Sequence, residues 1–393
     1  MAIVVGAGVG AYFLFQQPAK QAKFSDDSFN VISRVNTEGS GIYIKESVLT
    51  ARSLTVDDFF IGTGDNRTVD ASVKSAWAGL IWGVPNVQSI QYVQMAQLAQ
   101  KMGLQFQAYV SATYDSSSTT TMYFETGVAN ADTATVAKAS IIDGGILWQP
   151  QYEKIIKTSG WTQLELTNNF DKDHACCVVI GSHKYISENK DVTTRVLGAY
   201  IQAVNYVSAA MANHTLDSDD NGEADYNEIV QIGMAFTGFT IDIVEDALAD
   251  ITYLFSDDNT SGSLSLLQSQ AESLIGSLSS LGIIDPPKDK AVVADGLVDD
   301  SYLTSAVAYT PLATYDLANV GIGVIAGDIH QIAVHVANSK GFFTTYGIDA
   351  TLTPIAGGGS NVAAQVVSGG VTFGLLGLPP ATITTINSGL ITA

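Results

Sequence analysis

From residue 320 to its carboxyl end, this chain alternates short apolar runs, glycine-rich turns and helix-patterned segments. The run 321–325 gives way to the turn 326–330, which carries Gly327, Asp328 and His330. The turn 357–360 ends in Gly359 and Ser360 and opens the helical stretch 361–367. The run 371–376 breaks at 377–380, where Leu378 lies between a glycine and two prolines. Strands alternating with helices specify a parallel sheet covered on both faces, because parallel neighbours can be joined only by a crossover. In such sheets ligands gather beyond the carboxyl ends of the strands, where the free N–H groups of helix N-termini favour anions. The pattern therefore predicts an α/β fold and marks these turns as candidate ligand contacts.

A chain of 393 residues, 46% hydrophobic and 15% charged, has room for two α/β lobes and is far from a disordered composition. Its net charge of −21, from 18 basic and 39 acidic residues, argues against nucleic acid and anionic membrane surfaces as partners. It suits an extracellular protein, or one whose acids hold cations. The adjacent Cys176 and Cys177 are its only cysteines, so no disulfide framework forms within one chain, and they read as buried small apolar residues. Residues 1–15 are apolar and uncharged but shorter than the roughly 20 residues of a membrane span. They read as the remainder of an export signal or membrane anchor, or as a segment that packs against copies of itself. Gly6, Gly8 and Ala11 mimic a dinucleotide fingerprint, with Asp26 or Asp27 downstream, but the helix it requires would pass through Pro18.

Strand-like runs fall at 31–35, 42–46, 78–84, 141–148 and 178–180, and helical spacing at 90–102, 191–212, 228–236, 241–253 and 263–281. Residues 36–39 read as a turn, 51–76 as an insertion, 112–122 as loop or edge strand, and 16–29 and 304–319 as linkers. The turn 85–89, with Gln88 and Ser89, opens the helix at Ile90.

The sharpest local motif is LDSDDNGEADYNEIV, which satisfies the D-x-[DN]-x-[DN]-G-x5-E pattern of a calcium loop. Asp217, Asp219 and Asn221 would give side-chain oxygens, Glu223 a carbonyl, Asp225 a direct or water-mediated oxygen and Glu228 both carboxylate oxygens. Calcium takes this many hard oxygens. Ala224 replaces the larger aliphatic residue that pairs two such loops, so a lone structural Ca2+ site is expected. Asn66, Asn213 and Asn259 open N-x-[ST] triplets and are glycosylation candidates on an exported chain.

The segments VGIGVIAGDIHQIAVHVANSKGFFTTYGIDATL, GGGS and SGGVTFGLLGLPP resemble the opening lobe of the nitrate/sulfonate/taurine-type substrate-binding proteins of ABC importers. NTEGSGIYIK, LIWGVPNVQSIQYVQMAQLAQKMGL, DGGILWQPQYEKI and ACCVVIGSHKYISENK resemble later parts of that family, in the family's internal order. The resemblance implies a two-lobed periplasmic-binding-protein-like fold (type II), circularly permuted, with mainly parallel central sheets. It divides the chain into 1–29, an anchor or signal remnant and linker; 30–41, a strand of lobe 1 and the crossing; and 42–177, lobe 2. Residues 178–303 become the carboxyl-half helices of lobe 1 with the calcium loop 217–228. Residues 304–319 become the permutation linker, and 320–393 the amino half of lobe 1. By the same resemblance Thr37, Glu38, Gln88, Ser89 and Trp148 face Gly327, Asp328, His330, Gly359, Ser360 and Leu378 across a ligand cleft. Asp328 serves equally as a helix cap, Trp148 as core packing and His330 as a helix-terminal surface residue. Asp328 and Glu38 would repel an anion, which leaves room for an amino-sulfonate, a neutral heteroaromatic ligand or an empty cleft. The permutation also predicts that Ala393 lies near residues 24–31, within one chain or between two.

Two functions follow. One is an extracellular, cell-surface or membrane-anchored receptor that binds a small solute between its lobes and serves an ABC importer permease. The other is a surface or filament protein whose subunits join through the permuted termini and are stabilised by calcium. No nucleophile elbow, zinc spacing or paired catalytic carboxylates is visible, so no enzyme is expected.

Overall fold

The computed structural model describes residues 21–393; the apolar stretch at 1–15 and its glycine pattern lie outside the described residues. The strands, in chain order, are β1 (Lys23–Phe24), β2 (Phe29–Arg34), β3 (Asn36–Glu38), β4 (Ser40–Lys45), β5 (Ile81–Gly83), β6 (Gln105–Ala108), β7 (Thr121–Glu125) and β8 (Gly144–Trp148). They continue as β9 (Trp161–Leu166), β10 (Cys177–Ser182), β11 (Ile251–Tyr253), β12 (Ala318–Ile325), β13 (Ile348–Ile355), β14 (Phe373–Gly377) and β15 (Ile391–Thr392).

Two sheets form two lobes. Lobe 1 has the order β13-β12-β14-β10-β2, and lobe 2 the order β6-β7-β5-β8-β4-β9. Both are mainly parallel, each with one reversed strand. β12 is parallel to β13 and β14, whereas β10 is antiparallel to β14 and β2. In lobe 2, β6, β7, β5 and β8 are parallel, and β4 is antiparallel to β8 and β9. β10 and β4 thus run against all their neighbours. Each is the strand that receives the chain from a crossing, so it starts at the inter-lobe end, where the other strands finish.

The crossing is itself hydrogen-bonded. β3 pairs with β11, and Thr37 bridges to Ala175 on the returning segment. This corrects two expectations: 36–39 is not only a turn, and the helix expected over 241–253 is Ile241–Ala249 followed by β11. Buried backbone in the crossing needs partners, and the Ile251–Tyr253 edge supplies them. Residues 112–122 also conceal an element. β7 starts at Thr121 and is an internal strand between β5 and β6, its Met122 and Phe124 buried.

Lobe 1 is backed by the helix Lys190–Ala212, which buries Val196, Ala199, Ala203, Val207 and Ala210 at helical spacing. Each fully buried valine-sized side chain contributes about 1.5–3 kcal/mol. In lobe 2 the helix Ile90–Met102 is capped by the Ser89 side chain and stops at Gly103, whose φ of 68° needs no Cβ to avoid. All four tryptophans belong to lobe 2.

The two ends of the described chain meet. β15 pairs antiparallel with β1, Lys23 opposite Thr392 and Phe24 opposite Ile391. Ser25 N–H donates to Leu390 O at 2.9 Å. Phe24 stacks on His183, just beyond the end of β10 that points away from lobe 2. Ile391 is 2% exposed and fills the space beside Gly296. The segment after the helix Ser301–Val307 reaches β12 with Tyr309 and Tyr315 joined hydroxyl to hydroxyl at 2.9 Å and Arg195 over the Tyr315 ring. Among the described residues no helix is long and apolar enough to cross a membrane.

Candidate functional site

A cavity of about 250 Å3 lies where the lobes face each other. Lobe 1 lines it with the turns that follow β12, β13 and β14 and with the start of β10. Lobe 2 lines it with the turns that follow β5, β7 and β8. Nearly every wall is thus the carboxyl end of a strand, where side-chain identity is free of sheet packing.

The lobe 1 wall is built around glycine. Gly357 and Gly358, at φ of 89° and 88°, make a turn that side-chain-bearing residues rarely adopt. The turn aims the N-terminus of the helix Gly359–Val367 at the cavity. Ser360 Oγ donates to Gln88 Oε1 of lobe 2, so one hydrogen bond spans the cleft. Outside the cavity the lobes touch again. Gln149 Nε2 donates to Asp250 Oδ2 at 2.7 Å, and Lys157 pairs with Asp242 and Asp246.

Among the described residues, Asp328 and His330 form the one charged pair of the lining. Asp328 Oδ1 accepts from the His330 backbone N–H at 3.1 Å and lies 2.6 Å from His330 Nδ1, with both residues buried. Burial opposes charge on the imidazole, but Asp328, with the Cys176 thiol, outweighs it and pushes His330 up to about 9. Nε2 abuts the crossing, where a Cβ on Gly39 would sit 2.2 Å from it. Cys176 and Cys177 share the floor with Sγ atoms 3.8 Å apart. Their mutual hydrogen bond lowers the Cys176 thiol and, together with burial, raises that of Cys177.

Of the expected ligand contacts, Asp328, His330, Gly359, Ser360, Gln88, Ser89 and Trp148 line the cavity. Asp328 is also the cap of the short helix that follows, and His330 is 1% exposed rather than superficial. Four expected contacts stand off its wall. Gly327 takes φ of 72° to turn the chain and does not line it. Leu378 is core, and its N–H donates to Cys176 O. Thr37 and Glu38 are held in the crossing by β11, with the Glu38 carboxylate accepting from Asp173 N–H. Sequence reading missed Asn86, Gln91, Asn130, Gln151 and both cysteines as lining residues. Asn86 and Asn130 lie in loops, and Gln91 and Gln151 in the first turns of helices, where a single amide leaves no periodic signal. Lysine and arginine are absent from the lining formed by the described residues.

The 217–228 loop joins the helix Lys190–Ala212 to the helix Asp225–Thr237. Carboxylate oxygens of Asp217, Asp219 and Asp225 lie within 4.8 Å of one another. Asp225 is fully buried; its Oδ1 accepts from Tyr206 Oη and Ser218 N–H, while its Oδ2 has no hydrogen-bond partner. An unpartnered buried carboxylate oxygen beside two further carboxylates fits a calcium ion, which takes hard oxygens alone. Asn221 Nδ2 donates to Glu228 Oε1, Gly222 turns at φ of 88°, and Glu223 lies half-buried on the same loop. Of the glycosylation candidates, Asn66 and Asn213 are exposed. Asn259 sits at φ of 56° with Nδ2 donating to Tyr253 O and Oδ1 accepting from Phe255 N–H, so its amide is engaged in holding the loop.

No family model matches the chain, and no curated protein matches its sequence. Solved structures do resemble it. The periplasmic nitrate-binding protein NrtA from Synechocystis PCC 6803 is 11% identical, with 71% of this chain and 66% of that one covered and a TM-score of 0.51. The ligand-binding component of an ABC-type import system from Staphylococcus aureus, solved with zinc bound, is 15% identical over 71% of this chain and 74% of that one, TM-score 0.47. The periplasmic aliphatic sulphonate binding protein SsuA from Escherichia coli is 12% identical over 76% and 79%, TM-score 0.37. The fold is therefore the α/β two-lobed architecture of periplasmic binding proteins, type II.

Proposed function

We propose that this chain is the extracellular solute receptor of an ABC importer and closes its lobes on a small, neutral heteroaromatic solute. The observation that carries the reading is the cleft itself. Strand-end turns from two lobes face each other across a cavity about large enough for one small molecule. Its polar groups are chiefly amides, from Asn86, Gln88, Gln91, Asn130 and Gln151, which offer donors and acceptors together. Trp148 adds an aromatic face. Asp328 balances His330, so the walls carry little net charge for an inorganic anion. The helix N-terminus at Gly359 would take a carbonyl or ring acceptor of the solute.

The same reading holds that the chain is a circular permutation of the fold, supported by the β1–β15 pair and by the segment that straps Val307 to β12. It holds that the 217–228 loop binds calcium, supported by the complete motif and the unpartnered Asp225 Oδ2. Asn66 and Asn213 are the glycosylation sites it retains. β15 uses one edge to pair with β1 of its own chain, so a neighbouring subunit's strand does not take that place.

A thermal-shift screen tests the receptor role, with cytosine, uracil, nicotinamide, taurine, ethanesulfonate and nitrate as probes. A neutral heteroaromatic should stabilise the protein by about 2.7 kcal/mol at a hundred times its dissociation constant. Trp148→Ala should abolish the shift. Stabilisation by nitrate or ethanesulfonate alone would overturn the neutral-solute reading, and silence across a broad solute library would overturn the receptor role.

A further inference from the structure

Lys340 ends the helix Ile332–Ser339, more than a hundred residues from the 217–228 loop in sequence, yet its ammonium reaches into that loop. Nζ lies 2.8 Å from Asp219 Oδ2 and 2.6 Å from Glu228 Oε2. These residues hold positions 3 and 12 of the motif, the second being the one that should grip calcium with both oxygens. The lysine is well enclosed, its side chain 16% exposed and its Nζ 5.3 Å from the centre of the Tyr206 ring. Tyr206 Oη in turn lies within hydrogen-bond distance of both Asp225 and Glu228, with one proton to share between them. The loop's remaining unmet need is Asp225 Oδ2, which the ammonium does not satisfy.

We propose that Lys340 is an internal counter-cation of this loop, and that a divalent ion binds by displacing it. The inference rests on the calcium reading above and goes beyond it. A monovalent ammonium brings three donors and one charge. A calcium ion brings two charges and room for six to eight oxygens, including the one Lys340 leaves unpartnered. Both cannot hold Glu228 Oε2. Displaced, the ammonium remains beside the free carbonyls at the carboxyl end of its own helix, where a cation is favoured. The exchange therefore keeps the loop ordered with or without metal and lowers its metal affinity.

The position of Lys340 also connects the loop to the cleft. Its helix begins two residues after His330. It packs on the helix Asp225–Thr237, where His335 stacks on Phe236 with ring centres 3.8 Å apart, and Ile329 lies against Gly233. Glu228 and Asp225 open that second helix. The loop thus lies at one end of a packed helix pair whose other end holds Ile329, the residue between Asp328 and His330.

Two measurements on the purified chain test the exchange. The first is acetylation of Lys340 by an N-hydroxysuccinimide ester, followed by mass spectrometry in chelator and in calcium. Lys340 should be protected in chelator and label several-fold faster in calcium. The second is calorimetric titration with calcium chloride. Lys340→Met should bind about tenfold more tightly, the equivalent of two partly exposed ion pairs that need no longer be broken, while Lys340→Arg stays near wild type. Equal calcium affinity in wild type and Lys340→Met, with unchanged labelling, overturns the displacement and leaves the calcium site standing. Absence of calcium binding in both proteins overturns the calcium reading, and the displacement with it.

Discussion

Arg34 and Asp257 make a buried ion pair whose removal should unfold one lobe ahead of the other. Arg34 ends β2 just before the crossing, and its side chain is 2% exposed. Nε donates to Asp257 Oδ1 at 2.8 Å and Nη2 to Gln270 Oε1 at 2.8 Å. Asp257 also accepts from Leu266 N–H at 2.6 Å and Leu267 N–H at 3.2 Å, capping the helix Ser265–Ser280. Asp257→Ala strands a guanidinium in the core, a loss of about 3–5 kcal/mol. The lost cap adds about 1 kcal/mol. Arg34→Met leaves the carboxylate with its two backbone donors and should cost only about 1–2 kcal/mol. The double variant, with no stranded charge and only the cap and packing lost, should recover most of the Asp257→Ala loss, giving a coupling on the order of 4–5 kcal/mol. Urea unfolding can be followed by two probes. Tryptophan fluorescence reports lobe 2, which holds all four tryptophans, and circular dichroism reports the long helices of lobe 1 as well. The Asp257→Ala circular-dichroism transition should move to lower urea while the fluorescence transition moves little. A loss below about 1 kcal/mol, or a double variant no better than Asp257→Ala, would refute the reasoning, since a stranded buried charge must cost more than its removal.

Other outcomes follow from the crossing, the ends and the inter-lobe contact. Gly39→Ala places a Cβ 2.2 Å from His330 Nε2 at φ of 87°, and should lower stability by about 2 kcal/mol or more in urea unfolding. Ile391→Asp puts a carboxylate into a site 2% exposed, and should loosen β1 enough for limited proteolysis to cut near residues 21–25. Burial raises the carboxyls of Asp250 and Glu153, which share the Gln149 amide between the lobes. Folding therefore takes up protons there: the penalty is present at neutral pH and fades as pH falls through the raised values toward the ordinary carboxylate range. Asp250→Asn should accordingly be more stable than wild type at pH 7.5, by on the order of 1 kcal/mol, and the gap should narrow at pH 5. A gap that widens on acidification would contradict that sign.

Glycine carried most of what the sequence disclosed about the fold. Gly357, Gly358 and Gly103 occupy backbone conformations that other residues avoid, so the turns they make could be placed from composition alone. The D-x-[DN]-x-[DN]-G-x5-E pattern at 217–228 was equally legible because its residues are local. What stayed hidden was set by distance or by continuity. Lys340 meets Glu228 across 112 residues, and no spacing rule links them. Ile251–Tyr253 continues the apolar rhythm of the helix before it, and only the unmet backbone of the crossing turns it into a strand. The reversed strands β4 and β10 made both sheets mixed, for their direction depends on where the chain enters a lobe and not on their residues. The family resemblance puts Thr37 and Glu38 at the cleft; the crossing uses them to pair β11.

The β1–β15 pair has a mechanical meaning. Its strands are antiparallel with Lys23 opposite Thr392, so the backbone leaving Lys23 toward the amino end and the backbone leaving Thr392 depart from the same side. Tension applied between them would open the ladder one bond at a time, like a zipper, instead of shearing all its bonds together. A tether on either strand alone loads lobe 1 through its whole core. A chain of subunits strung end to end would load the zipper first, at its weakest geometry. This architecture can be hung from a surface by one end far more firmly than it can serve as a link in a cable.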